Sequence, residues 1–397
     1  LIVNRFREEL HAGKSVDEAI KRTVSTAGKT VFYSGLTIVI TLASLTLFPL
    51  MFLKSFGYAG VTVVIMAVLG SLVALPALLA ILGKRIDKAV IRKSAITPKE
   101  DGRWAQTARF VMRRPVAVVV LSLVILSVLA APIKNIVFSQ VDSRVLPASN
   151  PAAFASKIIS DRFPGQEGNP VEIVIPNGAL VQEEVNQYIS EVAKVDGIVR
   201  VSPPQILGND LRITAVHSMP PRTLPAESLI KDIRAIKSPD GTLIGGIAAD
   251  YADTQIGIAR TMPWALTWIA VGVLVLLFVF TGSIILPIKA VILNILSLAA
   301  TLGAITWIFV DGHLRWLVGD FTVTGAVDTG SIILVAVVAF GLSMDYELFL
   351  LSRIKEEHDA GKSNVESVAI GLQRSARIIT AAAGLLAIVF ASFIISG

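Results

Sequence analysis

Long charge-free runs punctuate this chain. Residues 30–53, 55–83, 115–133, 290–310 and 378–397 contain no Asp, Glu, Lys or Arg, and neither does 261–288. About 18 apolar residues are enough for a helix to cross a hydrocarbon layer roughly 30 Å thick, so each run predicts a span. Inside 261–288, Gly282-Ser283 and Pro287 predict a helix ending near Thr281 and a new one running to about Val310, because Gly and Pro punctuate helices. The segment 329–352 is apolar as far as Met344 and then carries Asp345 and Glu347. It spans only by placing ionisable groups in or near the bilayer.

From 134 to 260 the pattern is a soluble one. Alternation and amphipathic periodicity predict a strand at 171–175, a helix at 180–194, strands at 198–202 and 210–217, a helix at 225–236 and a strand at 242–248. That order is a split βαβ sandwich of the ferredoxin-like kind. The expected fold class is therefore a polytopic α-helical membrane protein carrying an α+β domain outside the membrane.

Composition agrees with the spans: 53% of residues are hydrophobic and 17% charged, against about 25% charged in soluble domains. With no cysteine there is neither a disulfide framework nor a thiolate zinc site. The four histidines, His11, His217, His313 and His358, are dispersed and show no ligand spacing. No metal or cofactor is expected, and no nucleophile setting points to an enzyme. The formal charge of +6 would suggest nucleic acid in a soluble chain; in a membrane protein it records sidedness. Residues 84–114 hold ten basic residues against three acidic, 4–29 six against four, and 352–377 five against four. The segments 134–260 and 311–328 hold twelve against fourteen and one against three. Threading the helices alternately puts the three positive segments on one side, predicted cytoplasmic, and both negative ones on the other. A nucleic-acid partner is thereby set aside.

The chain also repeats itself. At an offset of 348, residues 4–15 (NRFREELHAGKS) align with 352–363 (SRIKEEHDAGKS), identical at seven of twelve positions. An apolar helix follows each copy, which fits a transporter built from two related halves. The counterpart of Asp345 falls upstream of residue 1, so the sequence reads as a fragment. Gly-Lys-Ser at 13–15 and 361–363 is no phosphate loop, because Glu8 and Glu356 stand where the earlier glycine is needed.

Asp345 is the strongest chemical signal. A carboxylate within a span costs roughly 2.5–3.5 kcal/mol on the insertion scale, so it persists when paired, protonated or facing a polar cavity. Adjacent residues on a helix diverge by about 100°, so Asp345 and Tyr346 are expected to reach partners on two neighbouring helices. Glu347 reads as an interface residue. Thr30, Ser34, Thr37, Thr41 and Ser44 form one hydroxyl stripe, able to relay protons, to bond an adjacent helix, or simply to bond their own backbone. The same positions in the second copy are Ile378, Ala382, Leu385, Val389 and Ser392.

The stretch Phe340-Gly-Leu-Ser-Met-Asp345-Tyr346-Glu-Leu-Phe-Leu-Leu-Ser-Arg353 resembles the tenth-helix signature of the MMPL transporters, within the resistance-nodulation-division superfamily. Arg5-Phe6-Arg7-Glu8-Glu9 and the stretch from Phe48-Pro49 to Lys54-Ser55 resemble the corresponding first-half segments. The resemblance implies a fragment lacking the first helices and the last. On it, 1–83 is the end of the first-half bundle, 84–114 a basic cytoplasmic linker, 115–133 the seventh helix, 134–260 an extracytoplasmic porter domain and 261–397 helices eight to eleven. It further implies proton-driven export of lipids or other hydrophobic compounds across the bacterial inner membrane, with Asp345 and Tyr346 matching the second Asp-Tyr pair and Ser34 a hydroxyl near the proton relay. Expected partners are such a lipid or hydrophobic small molecule, protons and membrane lipids, with a homo-oligomer or accessory membrane proteins left open. The alternative is a non-transporting, lipid-sensing receptor or scaffold of the same architecture.

Overall fold

A computed structural model describes residues 1–87, 102–142, 145–146, 150–163, 165–319 and 321–395. The chain opens on α1 (Ile2–His11) and α2 (Val16–Thr23), separated by Gly13 in the left-handed region (φ +88°). Ser15 closes a capping box with Glu18, so the first Gly-Lys-Ser is a helix end followed by a helix start. One π-turn leads into α3 (Lys29–Ala43), extended by a 3-10 turn to Leu47.

The next break falls at Phe48-Pro49, not at Lys54 where the charge interrupts the apolar runs. A residue before proline is driven out of the helical region, and Phe48 is extended (φ −70°, ψ 150°). Lys54 lies inside α4 (Met51–Leu69), which continues through a π-turn into α5 (Leu75–Leu82). Of the basic residues expected in the linker, Lys88, Arg92, Lys93 and Lys99 lie outside the described residues. Arg103, Arg109 and Arg113 ride on α6 (Arg103–Arg113), which buries Ala105 and Ala108 against Ala369. α7 (Pro115–Ala130) is apolar along its whole length and has no buried residue.

Beyond the bundle the chain forms β1 (Phe138–Ser139), α8 (Pro151–Arg162), β2 (Val171–Ile175), α9 (Gln182–Val192), β3 (Ile198–Val201), β4 (Gln205–Leu207), β5 (Asp210–His217), α10 (Leu224–Ala235) and β6 (Leu243–Gly245). The main sheet runs β3-β5-β2-β6 with all neighbours antiparallel, the ferredoxin-like order. β2 and β5 have the bounds that alternation predicted, with Val171, Ile173 and Ile175 inward. The short β4 hairpins onto β5 and was not foreseen, because all three of its side chains are exposed and leave no apolar alternation to read.

The predicted strand at 242–248 is cut short by α11 (Ile247–Thr281), a 35-residue helix that begins in the core of the sheet domain, through Ala248, Ala249 and Ala252, and ends in the bundle. Gly282 stops it in the left-handed conformation (φ +71°). α12 (Ile285–Ile305), α13 (Arg315–Val318), β7 (Val327–Asp328), α14 (Thr329–Asp359) and α15 (Asn364–Ile395) complete the chain. Among the described residues, seven helical segments are long and apolar enough to cross a membrane. A core shared by five of them joins Leu45 and Leu53 to Val273, Leu277, Ala290, Val337, Met344 and Leu348.

A strand pairing and a set of hydrogen bonds tie the sheet domain to the bundle. β1 pairs in parallel with β7, so the segment entering the domain lies beside the segment that starts α14. Thr329, at the head of α14, donates to the Ser139 carbonyl (2.9 Å) and accepts from Gln255 Nε2 (3.0 Å), while Tyr251 donates to the Phe138 carbonyl (2.9 Å).

Candidate functional site

α14 is one unbroken helix of 31 residues, and Asp345 sits 16 residues in, about 24 Å along at roughly 1.5 Å per residue. Its charged end begins only at Arg353, two turns further on. Asp345 is thus held in mid-span, and it is met there by α3, where the Ser34 hydroxyl donates to Asp345 Oδ1.

The close approach of α3 and α14 has a steric basis at Gly341, one turn before Asp345. A Cβ built there would lie 2.6 Å from Thr41 Oγ1, so only glycine lets the helices come together at this level. Further along, the Thr30 and Ser352 hydroxyls bond each other at 2.8 Å. The stripe therefore divides. Thr30 and Ser34 reach across to α14, whereas Thr37, Thr41 and Ser44 bond carbonyls of their own helix.

Asp345 and Ser34 open onto a cavity of about 210 Å³, lined also by Tyr346 and residues of α15. Asp345 and Tyr346, which the sequence placed against different helices, share this space. The lining obeys the repeat: Leu1 and Phe349, Thr30 and Ile378, Val31 and Ile379, Ser34 and Ala382 are pairs at the offset of 348. The cavity straddles the relation between the two copies, with hydroxyls on one wall and alkyl groups on the other.

Glu347 points to a different neighbour. Asn294 on α12, almost wholly buried, directs Nδ2 to Glu347 Oε2 (3.4 Å), to Met344 Sδ (3.2 Å) and to the Ala290 carbonyl (3.2 Å). Glu347 is an interface residue, as its spacing predicted, and Asn294 is the partner that sequence reasoning missed. Its only signal was an amide inside the charge-free run 290–310. Among the described residues no group of three or more His, Asp or Glu is placed to hold a metal ion.

A set of membrane spans built on an internal repeat, a ferredoxin-like domain set between α7 and α11, and a carboxylate in mid-span define a polytopic membrane protein of the resistance-nodulation-division type. The solved structure of SecDF, a translocon-associated membrane protein from Thermus thermophilus, shares that fold over 95% of this chain and 45% of its own, with a TM-score of 0.51 at 14% identity. The chain belongs to the MMPL family, whose model matches residues 1–118 and 144–397. It is 38% identical over 399 residues to the membrane protein SCO6666 of Streptomyces coelicolor, and 33% identical over 440 residues to the trehalose monomycolate exporter MmpL3 of Mycobacterium tuberculosis. The mycolic acid-containing lipids exporter MmpL11 of Mycolicibacterium smegmatis is 30% identical over 414 residues. Each alignment takes in the whole of this chain but only 55%, 46% and 43% of the relative, so the chain spans about half the length of the curated relatives it matches. It is a multi-pass bacterial membrane protein.

Proposed function

We propose that the protein exports a lipid or another hydrophobic compound across the bacterial inner membrane, driven by protons that bind and leave Asp345. The observation that carries this reading is the Ser34–Asp345 contact, a hydroxyl meeting a carboxylate at the mid-span wall of a cavity. Each unit of pH across the membrane is worth about 1.4 kcal/mol per proton, enough to bias two packings of a helix that differ by a few kcal/mol. Ser34 orients the carboxylate and hands protons to it, and Tyr346 supplies a second hydroxyl in the same space. Relatives named as exporters of trehalose monomycolate and of mycolic acid-containing lipids support a lipid as cargo.

In this reading the connectors 4–29 and 352–377 and the linker 84–114 face the cytoplasm, and the domain 134–260 lies outside as the porter. The protonation state of Asp345 shifts α14, and the ties from Thr329 to Ser139 and Gln255 pass that shift to the domain.

The test is Asp345→Asn in the full-length protein, reconstituted in proteoliposomes with an imposed pH gradient and a fluorescently labelled glycolipid as probe. Gradient-driven movement of the probe is expected to fall to the level seen without a gradient, while probe binding is kept. Movement at the wild-type rate would sink the reading. A gradient-independent activity, with the Asp345→Asn variant merely poorly folded, would favour the receptor or scaffold.

A further inference from the structure

The two connector copies do more than resemble each other; they interlock. Arg5 and Arg353 are offset-related, both are buried, and each lies close to the glutamate three residues ahead, Arg5 Nη1 3.5 Å from Glu8 and Arg353 Nη1 2.9 Å from Glu356. Each also faces the other copy's glutamate. Arg5 Nη2 is 2.7 Å from Glu356 Oε1, whereas Arg353 Nη2 is 4.0 Å from Glu8 Oε2.

The surroundings are matched in part: Arg374 on Glu357 has no basic counterpart at Thr26, and Asn4 Nδ2 donates to Glu8 Oε1 at 2.7 Å where the second copy has Ser352. Lys14 pairs with Glu9 as Lys362 pairs with Glu357, and the Glu18 and Glu366 amides donate to Ser15 and Ser363 at 3.3 and 3.4 Å. Arg5 Nε also lies 3.0 Å from Glu9. Against this repeated frame the central four charges break the symmetry: Glu356 bridges both arginines tightly, and Glu8 is held loosely by both. Exchanging the roles of the two glutamates gives an arrangement with the same two arginines, in which Glu8 bridges and Glu356 is loose. The two differ by a relative shift on the order of an ångström, and buried arginines must keep a carboxylate in either. Packed interfaces of this kind take discrete positions, not a continuum.

We infer that Arg5, Glu8, Arg353 and Glu356 are positioning residues that form a two-position ionic clamp between the repeats, bridged by Glu356 in one position and by Glu8 in the other. Asp345 lies eight residues from Arg353 on the same helix, about 12 Å along it, so the clamp sets the register of α14 against α3 where Ser34 meets the carboxylate. This goes beyond the proposed export, and its test reads position, not transport.

Ala12 and Ala360 are also offset-related, both are exposed, and the chain has no cysteine of its own. Trifluoromethyl labels on Ala12→Cys and, separately, on Ala360→Cys, in the full-length protein with any cysteine elsewhere replaced, report the surroundings of each connector by fluorine NMR in lipid nanodiscs, where displacements of this size change the resonance. Two resonance populations are expected. Glu8→Gln should leave only the Glu356-bridged one, and Glu356→Gln only the other. A single population that neither substitution moves, or that both move alike, overturns the clamp. Should either Gln variant fail to fold, Arg5→Lys keeps the charge but removes the fork that reaches Glu356. It should enrich the Glu8-bridged population, and no change there overturns the inference equally.

Discussion

Ser34 and Asp345 stand 311 positions apart, and the chain spends a glycine, a hydroxyl and a buried helix face on bringing them together. A second titratable residue sits in the sheet domain. His217, at the end of β5, is fully buried, with Nε2 3.1 Å from the Asn169 carbonyl. Burial holds its imidazole below the ordinary histidine value, and the hydrogen bond to the Asn169 backbone works the other way without cancelling it. The unfolded chain therefore binds this proton at higher pH than the folded one. Stability is intact above about pH 6.5 and is lost as pH falls below it. The midpoint of thermal unfolding of the sheet domain is expected to drop between about pH 7.5 and pH 5.5, and His217→Gln should flatten that dependence. An unaltered slope in the variant would assign the acid sensitivity to other groups.

At this scale the sequence was informative in proportion to how strongly a residue broke its surroundings. Asp345 was legible because a charge interrupts an apolar run. In the residue pattern Ser34 was one of five equivalent hydroxyls, since nothing in a stripe says which members cross to a neighbour and which bond their own backbone; only the family resemblance singled it out. Asn294 was not legible, because an uncharged amide leaves a charge-free run intact.

Among elements, α14 collects most of what matters: a tie to the sheet domain at Thr329, Gly341 against α3, Asp345 at its middle and Arg353 near its end. The α3–α14 contact is expected to be sensitive at Gly341. Gly341→Ala places a methyl 2.6 Å from Thr41 Oγ1 and should cost about 1–3 kcal/mol by overpacking, while Thr41→Ala in the same protein should recover most of it. Thermal unfolding of the single and double variants in detergent checks both; equal loss in the single and the double would place the strain elsewhere. Element type followed from periodicity in the spans and in the main sheet and its two helices, but not in β4 or α8, and ends followed local sterics that charge counting does not see. The first span stops at Pro49 because of the ring, not at Lys54. α11 starts at Ile247, because its opening turns are packed by the sheet domain and carry Asp250, Asp253 and Arg260 on a helix that hydropathy alone begins after 260.

For the whole molecule, the repeat at offset 348 was legible from twelve residues, and it organises both the cavity and the clamp. What it did not disclose is that the copies exchange partners, since an alignment relates equivalent positions and not contacting ones. The tie between domain and bundle makes its own demand. Thr329→Val keeps the shape of the side chain but removes the donor to Ser139 and the acceptor for Gln255. It is expected to reduce gradient-driven movement of the labelled glycolipid at least several-fold with little change in unfolding temperature. Unchanged transport would show that α14 and the domain communicate by another route.

α11 offers such a route. Thirty-five residues at roughly 1.5 Å each make a rod about 52 Å long, rooted in the sheet core at Ala248 and in the bundle core at Leu277. A tilt of only about 5° at the bundle end swings the other end through roughly 4–5 Å by the same length. Pro263 is the place along it where the ladder lacks an N–H, leaving the Ala259 carbonyl without its usual donor. The rod thus has a built-in joint about halfway along, and the stiffness of that joint decides how much of each swing the domain inherits.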